Sequence, residues 1–449
     1  MSTEQELLQL ARGVADQAKP GEQIDAYVGR SRDTEIRIYE GDIEQLQSAQ
    51  SSGCGIRVIK DGRTGFAYVG NLDPKSIAEA LAEARDNVQF GTPDEWAGVA
   101  SPDGVAVVKQ DLWNEALAAL PTDEKVRLAM ELEKLTLAGD PRVRVEASEY
   151  ADSFSEEAVA TSTGIELYGR DSGCYLSVGT LADDGDETQS GYGYSVARDP
   201  SKLDPAKAAK DGVDRATRLL GATKPVSRRT TIILDPMVTA SFLSIIGSTL
   251  NGESVLKGRS LFANRLGETV APSFFTLVDD PTNPLAYTAS EVDGEGLATR
   301  RNLLIDNGTL RTFVQSSYSG RRNGTASTGN ATRGGYKGTP GCGCIALSVT
   351  PGTKSQAELV AGISDGVLIQ NVQGLHSGVN SVSGDFSTGA SGLNIVNGEL
   401  GAPIREFTIA STLQRMLLDM VEIGADLEWL PSRAAGLSLV IEGVSVSGS

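Results

Sequence analysis

The chain is 449 residues long with 40% hydrophobic and 22% charged residues, a globular balance that excludes a disordered chain, a fibrous repeat and a disulfide miniprotein. A net charge of −19 repels phosphate backbones and anionic lipid, which argues against nucleic acid and membrane surfaces as direct partners. Fifty-one glycines beside only 5% aromatics point to strands, turns and close backbone approaches in place of a helical bundle.

Residues 4–18 place Leu7, Leu8, Leu10, Ala11, Val14, Ala15 and Ala18 at helical spacing. Ile24 to Val28, Glu35 to Tyr39 and Ile43 to Ser48 alternate as strands, with a turn at Gly41-Asp42, and Gly53 to Gly70 continues in strand. Asp73 then caps a helix with Pro74 in its first turn and a buried stripe of Ile77, Ala80, Leu81 and Ala84. Residues 91–120 are irregular. A second helix begins near Thr122, with Val126, Met130, Leu132 and Leu135 as its apolar positions. Strands follow at Val143–Ser148, Ser153–Thr161, Ile165–Gly169 and Cys174–Ala182. The acidic run Asp183–Glu187 reads as a solvated hairpin tip, since it lacks the spacing and closing Glu of a calcium loop.

A helix from Asp204 to Leu220 ends this half, and Pro225 to Arg229 marks a boundary. Beyond it, Thr230–Leu234 is a short buried strand, and Asp235-Pro236 caps an apolar helix running to about Leu250. Glycine-rich strands and turns continue to Ser411. A last helix then uses Leu413, Met416, Leu417, Met420 and Ile423, with Gly424 as its C-terminal cap. The pattern predicts an α+β protein: an N-terminal α/β domain (1–95), a second lobe of helix plus strands (96–225) and a β-rich C-terminal domain of mostly antiparallel strands (226–449).

The chain has one histidine, His376, whereas a zinc-peptidase helix needs two. Cys54, Cys174, Cys342 and Cys344 are spread through a large chain, which reads as reduced and cytoplasmic. The acidic, amphipathic start is unlike a signal peptide, and no apolar run approaches the ~20 residues of a membrane span. Gly362-Ile363-Ser364-Asp365-Gly366 matches the nucleophile-elbow pattern in reversed context, with a helix before it and a strand after it. Cys342-Gly343-Cys344 could pair with His376 around a metal, but no fourth ligand is evident. His376 beside Ser377, with Asp385 further on, invites a hydrolase triad, although neighbours on a strand point to opposite faces.

The run Gly374-Leu375-His376-Ser377-Gly378-Val379-Asn380, then Ser383-Gly384-Asp385-Phe386-Ser387, Ile395-Val396-Asn397-Gly398-Glu399 and Pro403-Ile404, resembles the TldD/PmbA family, also labelled modulators of DNA gyrase. Asp293-Gly294-Glu295-Gly296, Arg300-Arg301, Asp306 to Leu310, Ser327 to Ala331, Gly53 to Val58 and Gly65 to Ala67 are similar to it as well, as is the stretch from Ile409 to Asp426. The resemblance implies two kinds of subunit. TldD-type chains hold zinc with H-E-x-x-x-H and a later cysteine, and PmbA/TldE chains lack the site and pair with them. Leu243, Ser244 and Ser248 fall where the zinc motif would stand, and no cysteine follows Cys344, so the chain resembles the PmbA/TldE side.

On that resemblance the chain is a non-catalytic, metal-free subunit of a cytoplasmic peptidase heterodimer. Its partner carries the zinc, and its substrates are unfolded or extended peptides. His376, Ser377, Asn380, Asp385 and Phe386 are candidates for a peptide groove or partner contact. Edges of the C-terminal strands are the expected surface for the partner. An independent hydrolase built on His376 with Ser377 or Asp385, and a stand-alone peptide-binding scaffold, remain as alternatives, and a homodimer without the partner is left open.

Overall fold

The computed structural model describes residues 3–448. Helix α1 (Thr3–Ala15) leads into β1 (Glu22–Tyr39), β2 (Asp42–Lys60) and β3 (Arg63–Val69). Glu40 and Gly41, both at positive φ, form the tight turn that reverses the chain between β1 and β2. Next come α2 (Pro74–Asn87), α3 (Glu115–Ala118), α4 (Thr122–Gly139), β4 (Val143–Thr161), β5 (Glu166–Asp184), β6 (Glu187–Ala197) and α5 (Pro205–Thr217). These six strands make one antiparallel sheet in the order β3-β2-β1-β4-β5-β6, so the two N-terminal lobes share a single sheet through β1 and β4.

One face of this sheet carries the helices. Ile24, Ala26 and Val28 of β1 pack with α1 and α2, and Ile36 and Ile38 pack with Ala129 and Leu132 of α4. The other face turns Tyr27, Val159 and Ile165 toward Leu297 and Tyr336 of the C-terminal half.

The C-terminal half begins with β7 (Arg228–Leu234), α6 (Pro236–Thr249) and α7 (Gly252–Leu256). A stretch of short pieces follows: β8 (Leu277–Asp279), β9 (Asn302–Asp306), β10 (Thr309–Leu310), α8 (Ser317–Asn323), β11 (Ala331–Thr332), β12 (Gly341–Cys342), β13 (Leu347–Val349) and α9 (Gln356–Ala361). Then come β14 (Asp365–Gln373), α10 (Leu375–Gly378), β15 (Asp385–Val396), β16 (Glu399–Thr412), α11 (Leu413–Leu418), β17 (Met420–Ile423), β18 (Glu428–Trp429), β19 (Ala435–Gly436) and β20 (Leu439–Ser447).

The second large sheet runs β16-β15-β14-β7-β20-β17, and β16 also pairs with β20 through Thr408–Ser447, Ile409–Val446 and Ala410–Ser445. Five strands therefore form a closed ring. Alternation splits its residues between two cores. Ile232, Leu234, Val367, Ile369 and Ile441 pack with Phe242, Leu243 and Ile246 of α6, while Ile233, Leu368 and Val440 pack with Leu359 and Val360 of α9.

The mixed α+β architecture with mostly antiparallel strands agrees with the sequence reading, and four local expectations need correction. The stretch after Ser411 is not one long helix. Thr412 caps α11 by accepting from Arg415 N (3.2 Å), and the helix stops at Leu418 because Met420 and Ile423 pair with Ile441 and Leu439 of β20. Gly424 donates its N–H to Ser438 O and caps nothing. Helix α4 is turned from its expected face. Leu135 is exposed, whereas Lys125 is buried because its ammonium meets Asp152 Oδ2 at 2.5 Å. The short strands expected in the N-terminal half are pieces of strands up to 19 residues long. Finally, the edges of the C-terminal strands are closed only in part: Thr408 to Ala410 of β16 pair with β20, while β17 pairs with β20 alone.

Candidate functional site

Helix α6 is where a metal site of the resembled family would stand. Asp235 starts it by accepting from Met237 N (3.2 Å), with Pro236 in the first turn. Leu243 is fully buried in the core. Ser244 and Ser248, four residues apart, share the exposed side. Ser244 Oγ donates to Ala240 O (2.8 Å) and Ser248 Oγ to Ile245 O (2.7 Å), so both hydroxyls are spent on their own helix.

An alkyl group and two back-bonded hydroxyls supply no imidazole, carboxylate or thiolate, and this donor set does not fit zinc. The thiols nearby are no better placed. Cys344 Sγ lies against Gly247 and Cys342 Sγ donates to Val314 O (3.3 Å). Burial pushes the Cys342 thiol up to about 11 and that of Cys344 well above its ordinary value, which keeps both protonated. Among the described residues, no three His, Cys, Asp or Glu side chains are grouped so as to hold a metal ion.

The segment 374–387 sits over α6. Phe386 is buried and meets Phe242 edge-on at 6.5 Å between ring centres. Gly374 at φ 76° starts α10, which presents His376 to solvent. Ser377 Oγ donates to Gly374 O (3.2 Å). Asn380 Oδ1 accepts from Val382 N (2.9 Å) and Ser383 N (3.1 Å), and Asp385 Oδ2 accepts from Ser383 Oγ (2.6 Å). The structure thus brings His376, Ser377, Asn380, Asp385 and Phe386 into one loop, but bonds neither Ser377 nor Asp385 to His376. Ser377 and Asp385 serve the loop's own turns, with no triad hydrogen bonding.

A wide cleft lies elsewhere, at the junction of the N-terminal sheet with the C-terminal half. It has a volume of about 550 Å³ and is lined among others by Tyr27, Trp113, Glu157, Asp171, Asp293 and Arg333. Arg333 of this lining belongs to a buried ionic cluster contributed by both halves. Arg333 from the C-terminal half meets Asp25 Oδ2 at 2.6 Å, and Arg57 reaches the same oxygen at 2.8 Å and Glu295 at 3.9 Å. Arg333 also lies over the Tyr27 ring at 5.1 Å, and the Tyr27 hydroxyl donates to Glu157.

Burial pushes the Asp25 carboxyl up, but Arg333 and Arg57 outweigh it and hold it below the usual range. Glu157 moves the other way: burial raises it against the Tyr27 hydrogen bond and Arg333. Burial, with Glu295 beside it, lifts Asp293 to about 7 even though its carboxylate accepts from Glu295 N, Leu297 N and Ala331 N.

Two of the sequence motifs reach the cleft, through Asp293 and Gly294 of one and Ala331 of the other. Gly53 and Gly55 leave no room for a side chain because Tyr336 rests on them. Sequence reasoning passed over Glu157, Asp171 and Arg333. Glu157 and Asp171 lie in β4 and β5 and Arg333 just after β11, and nothing in their local spacing sets them apart.

The chain matches the C-terminal domain of PmbA/TldA metallopeptidases over residues 227–448, domain 1 over 24–88 and the central domain over 115–220. It belongs to this family. The metalloprotease PmbA homolog of Haemophilus influenzae is 27% identical, covering 99% of this chain and 97% of the relative. The metalloprotease PmbA of Escherichia coli O157:H7 is also 27% identical, over 98% and 96%. TldE from Thermococcus kodakarensis has the same fold, with a TM-score of 0.90 at 24% identity over 100% of both chains. A peptidase-family assignment is therefore established for this PmbA/TldA member, whose α6 lacks the donors of a metal site.

Proposed function

We propose that this chain is the metal-free subunit of a TldD/TldE-type peptidase, which shapes the site and positions extended peptides for a zinc-bearing TldD-type partner. The carrying observation is α6: a helix buried through Leu243 and back-bonded at Ser244 and Ser248, in a chain whose single histidine is exposed on a separate loop. Such a chain has no group that could activate water by a zinc route. What it can offer is a surface that holds an extended segment through backbone hydrogen bonds and lowers the entropic cost of its orientation. The loop 374–387 is the surface we assign to that task, because it is exposed, polar and anchored to α6 through Phe386.

The test is reconstitution. The purified chain is expected to bind no stoichiometric zinc by elemental analysis and to leave unfolded peptides intact. Co-expression with a TldD-type chain should give a chelator-sensitive peptidase. His376→Ala should alter assembly or stability while leaving kcat within tenfold at matched assembly. Chelator-resistant cleavage by the isolated chain, or about one tightly bound zinc per chain, would overturn the reading.

A further inference from the structure

The floor of the junction cleft is set by strand register. In the antiparallel pairing of β4 with β5, Ser155 stands opposite Asp171 and Glu157 opposite Gly169. Side chains alternate along a strand, so Ser155, Glu157 and Asp171 share the sheet face that turns Tyr27 toward the C-terminal half. Glu157 and Asp171 are diagonal neighbours, roughly 7 Å apart by the ordinary spacing of such pairs. Tyr287 roofs them from the C-terminal half: its ring rests on Gly173, where a Cβ would meet it at 3.0 Å. Trp113, in the segment before α3, lines the same cleft.

Two carboxylates side by side in a walled cleft repel each other and call for a cation. The chain supplies little of one. Glu157 accepts from the Tyr27 hydroxyl, and among the described residues no ammonium or guanidinium lies within ion-pair distance of it. Asp171 meets Arg198 Nε at 3.2 Å, but that guanidinium also donates to Ala286 O (3.2 Å) and Tyr287 O (2.9 Å). The other cations of the lining are engaged elsewhere or open to water. Arg333 is on Asp25 at 2.6 Å, Lys109 on Glu291 at 2.8 Å and Arg170 on Glu115 at 3.3 Å, while Arg433 is exposed. Burial accordingly raises Glu157 and lifts Asp171 to about 6, with the charge of Glu157 adding to the second shift. The Asp171 side chain still has 46% of its surface open, so a ligand can reach it.

We propose that this cleft binds an organic cation, a primary ammonium or guanidinium carried on an alkyl stem, with its charge between Glu157 and Asp171. The aromatic walls suit both parts of such a ligand. The chain's own guanidiniums already lie over two of them, Arg333 over Tyr27 at 5.1 Å and Arg170 over Trp113 at 5.0 Å. A bare metal ion fits less well, because among the described residues no three His, Cys, Asp or Glu side chains are grouped to hold one. An anion would face the carboxylates of the floor. The volume is that of an ordinary small-molecule site and has room for a free diamine or for one basic side chain of a peptide. The cleft lies within one chain and takes no residue from α6 or from the loop 374–387, so the inference does not depend on the zinc-partner reading.

The experiment is isothermal titration calorimetry on the full chain near neutral pH and at low salt. One probe is cadaverine, a free diamine. The other is an acetylated and amidated tripeptide with lysine between two glycines. At least one of them should bind with one site per chain, and which one binds identifies the source of the cation. The same tripeptide with norleucine in place of lysine should bind at least about tenfold more weakly. Glu157→Gln and Asp171→Asn should each weaken the charged probe about tenfold or more. Asp186→Asn, at an exposed hairpin tip, should leave binding unchanged, which separates the site from a general attraction of cations to an acidic chain. Ser155→Lys places an ammonium opposite Asp171 and should abolish binding. Circular dichroism identifies the variants that keep the fold, and Ser155→Lys carries the test if an amide variant does not. Absence of binding by both probes, equal binding of the lysine and norleucine peptides, or binding that survives these substitutions in folded protein would each overturn the proposal.

Discussion

Six strands make up each of the two large sheets, yet only in the C-terminal one do strands close into a ring, of five, with β17 outside it. Its β16–β20 seam satisfies the backbone groups that a sheet edge would leave free, and β7, β14 and β20 are buried on both faces. The N-terminal sheet has helices on one face, the C-terminal half on part of the other, and an unpaired β2 edge. The difference teaches where each half can do work. A closed ring offers loops at its ends, and the segment over α6 is such a loop. An open sheet offers its backbone. A buried ionic cluster joins the two halves, and its Arg333 also lines the cleft at their junction.

The strongest way to break the comparison is to cut that junction. Arg333→Ala removes the C-terminal partner of Asp25, a carboxylate with 2% of its side-chain surface exposed, and should cost about 3–5 kcal/mol in urea unfolding. The seam comes next. Ile409 is fully buried and pairs with Val446, so Ile409→Ala should cost about 3 kcal/mol, with faster amide exchange in β16 and β20 than in β1.

A smaller effect is expected from pH, with opposite signs at two carboxyls of the junction. Asp25 is held below its unfolded value, so its contribution is present above the unfolded pKa and is lost as pH falls through the lowered folded value. Asp293 is raised to about 7, so its contribution is full below the ordinary carboxylate range and is lost as pH rises through about 7. Asp25→Asn should flatten the acid limb of the stability profile, and Asp293→Asn the neutral limb. The smallest effect sharpens the contrast: Leu46→Lys on the open edge should change monomer stability by less than about 0.5 kcal/mol.

Local signals in the chain were faithful where local physics decides. Asp73, Pro74 and the stripe Ile77, Ala80, Leu81 and Ala84 set α2 in full, and Asp235-Pro236 did the same for α6. They misled where a distant partner decides. Met420 and Ile423 fit helical spacing, but β20 claims them as strand. Leu135 fits an apolar stripe, but the Lys125–Asp152 pair turns α4 away from it. For the candidate site, that Leu243, Ser244 and Ser248 carry no metal-type side chain is plain from residue chemistry alone. The cleft could not, because Tyr27, Glu157, Asp293 and Arg333 are brought together only by the pairing of β1 with β4 and by the docking of the two halves.

The position of β7 in the ring has a consequence for how the chain is made. Ile232 pairs with Ile441, 209 residues later, whereas β1 finds β2 across a tight turn. At roughly 5–20 residues per second of synthesis, Ile232, Ile233 and Leu234 wait on the order of 10–40 seconds after translation before β20 exists. The N-terminal sheet can be assembled during that interval, while the buried centre of the ring stays uncovered. Production of this protein in cells should therefore be limited by chaperone supply to its second half, and slowing the ribosome after residue 234 should lower the soluble yield more than slowing it before residue 228.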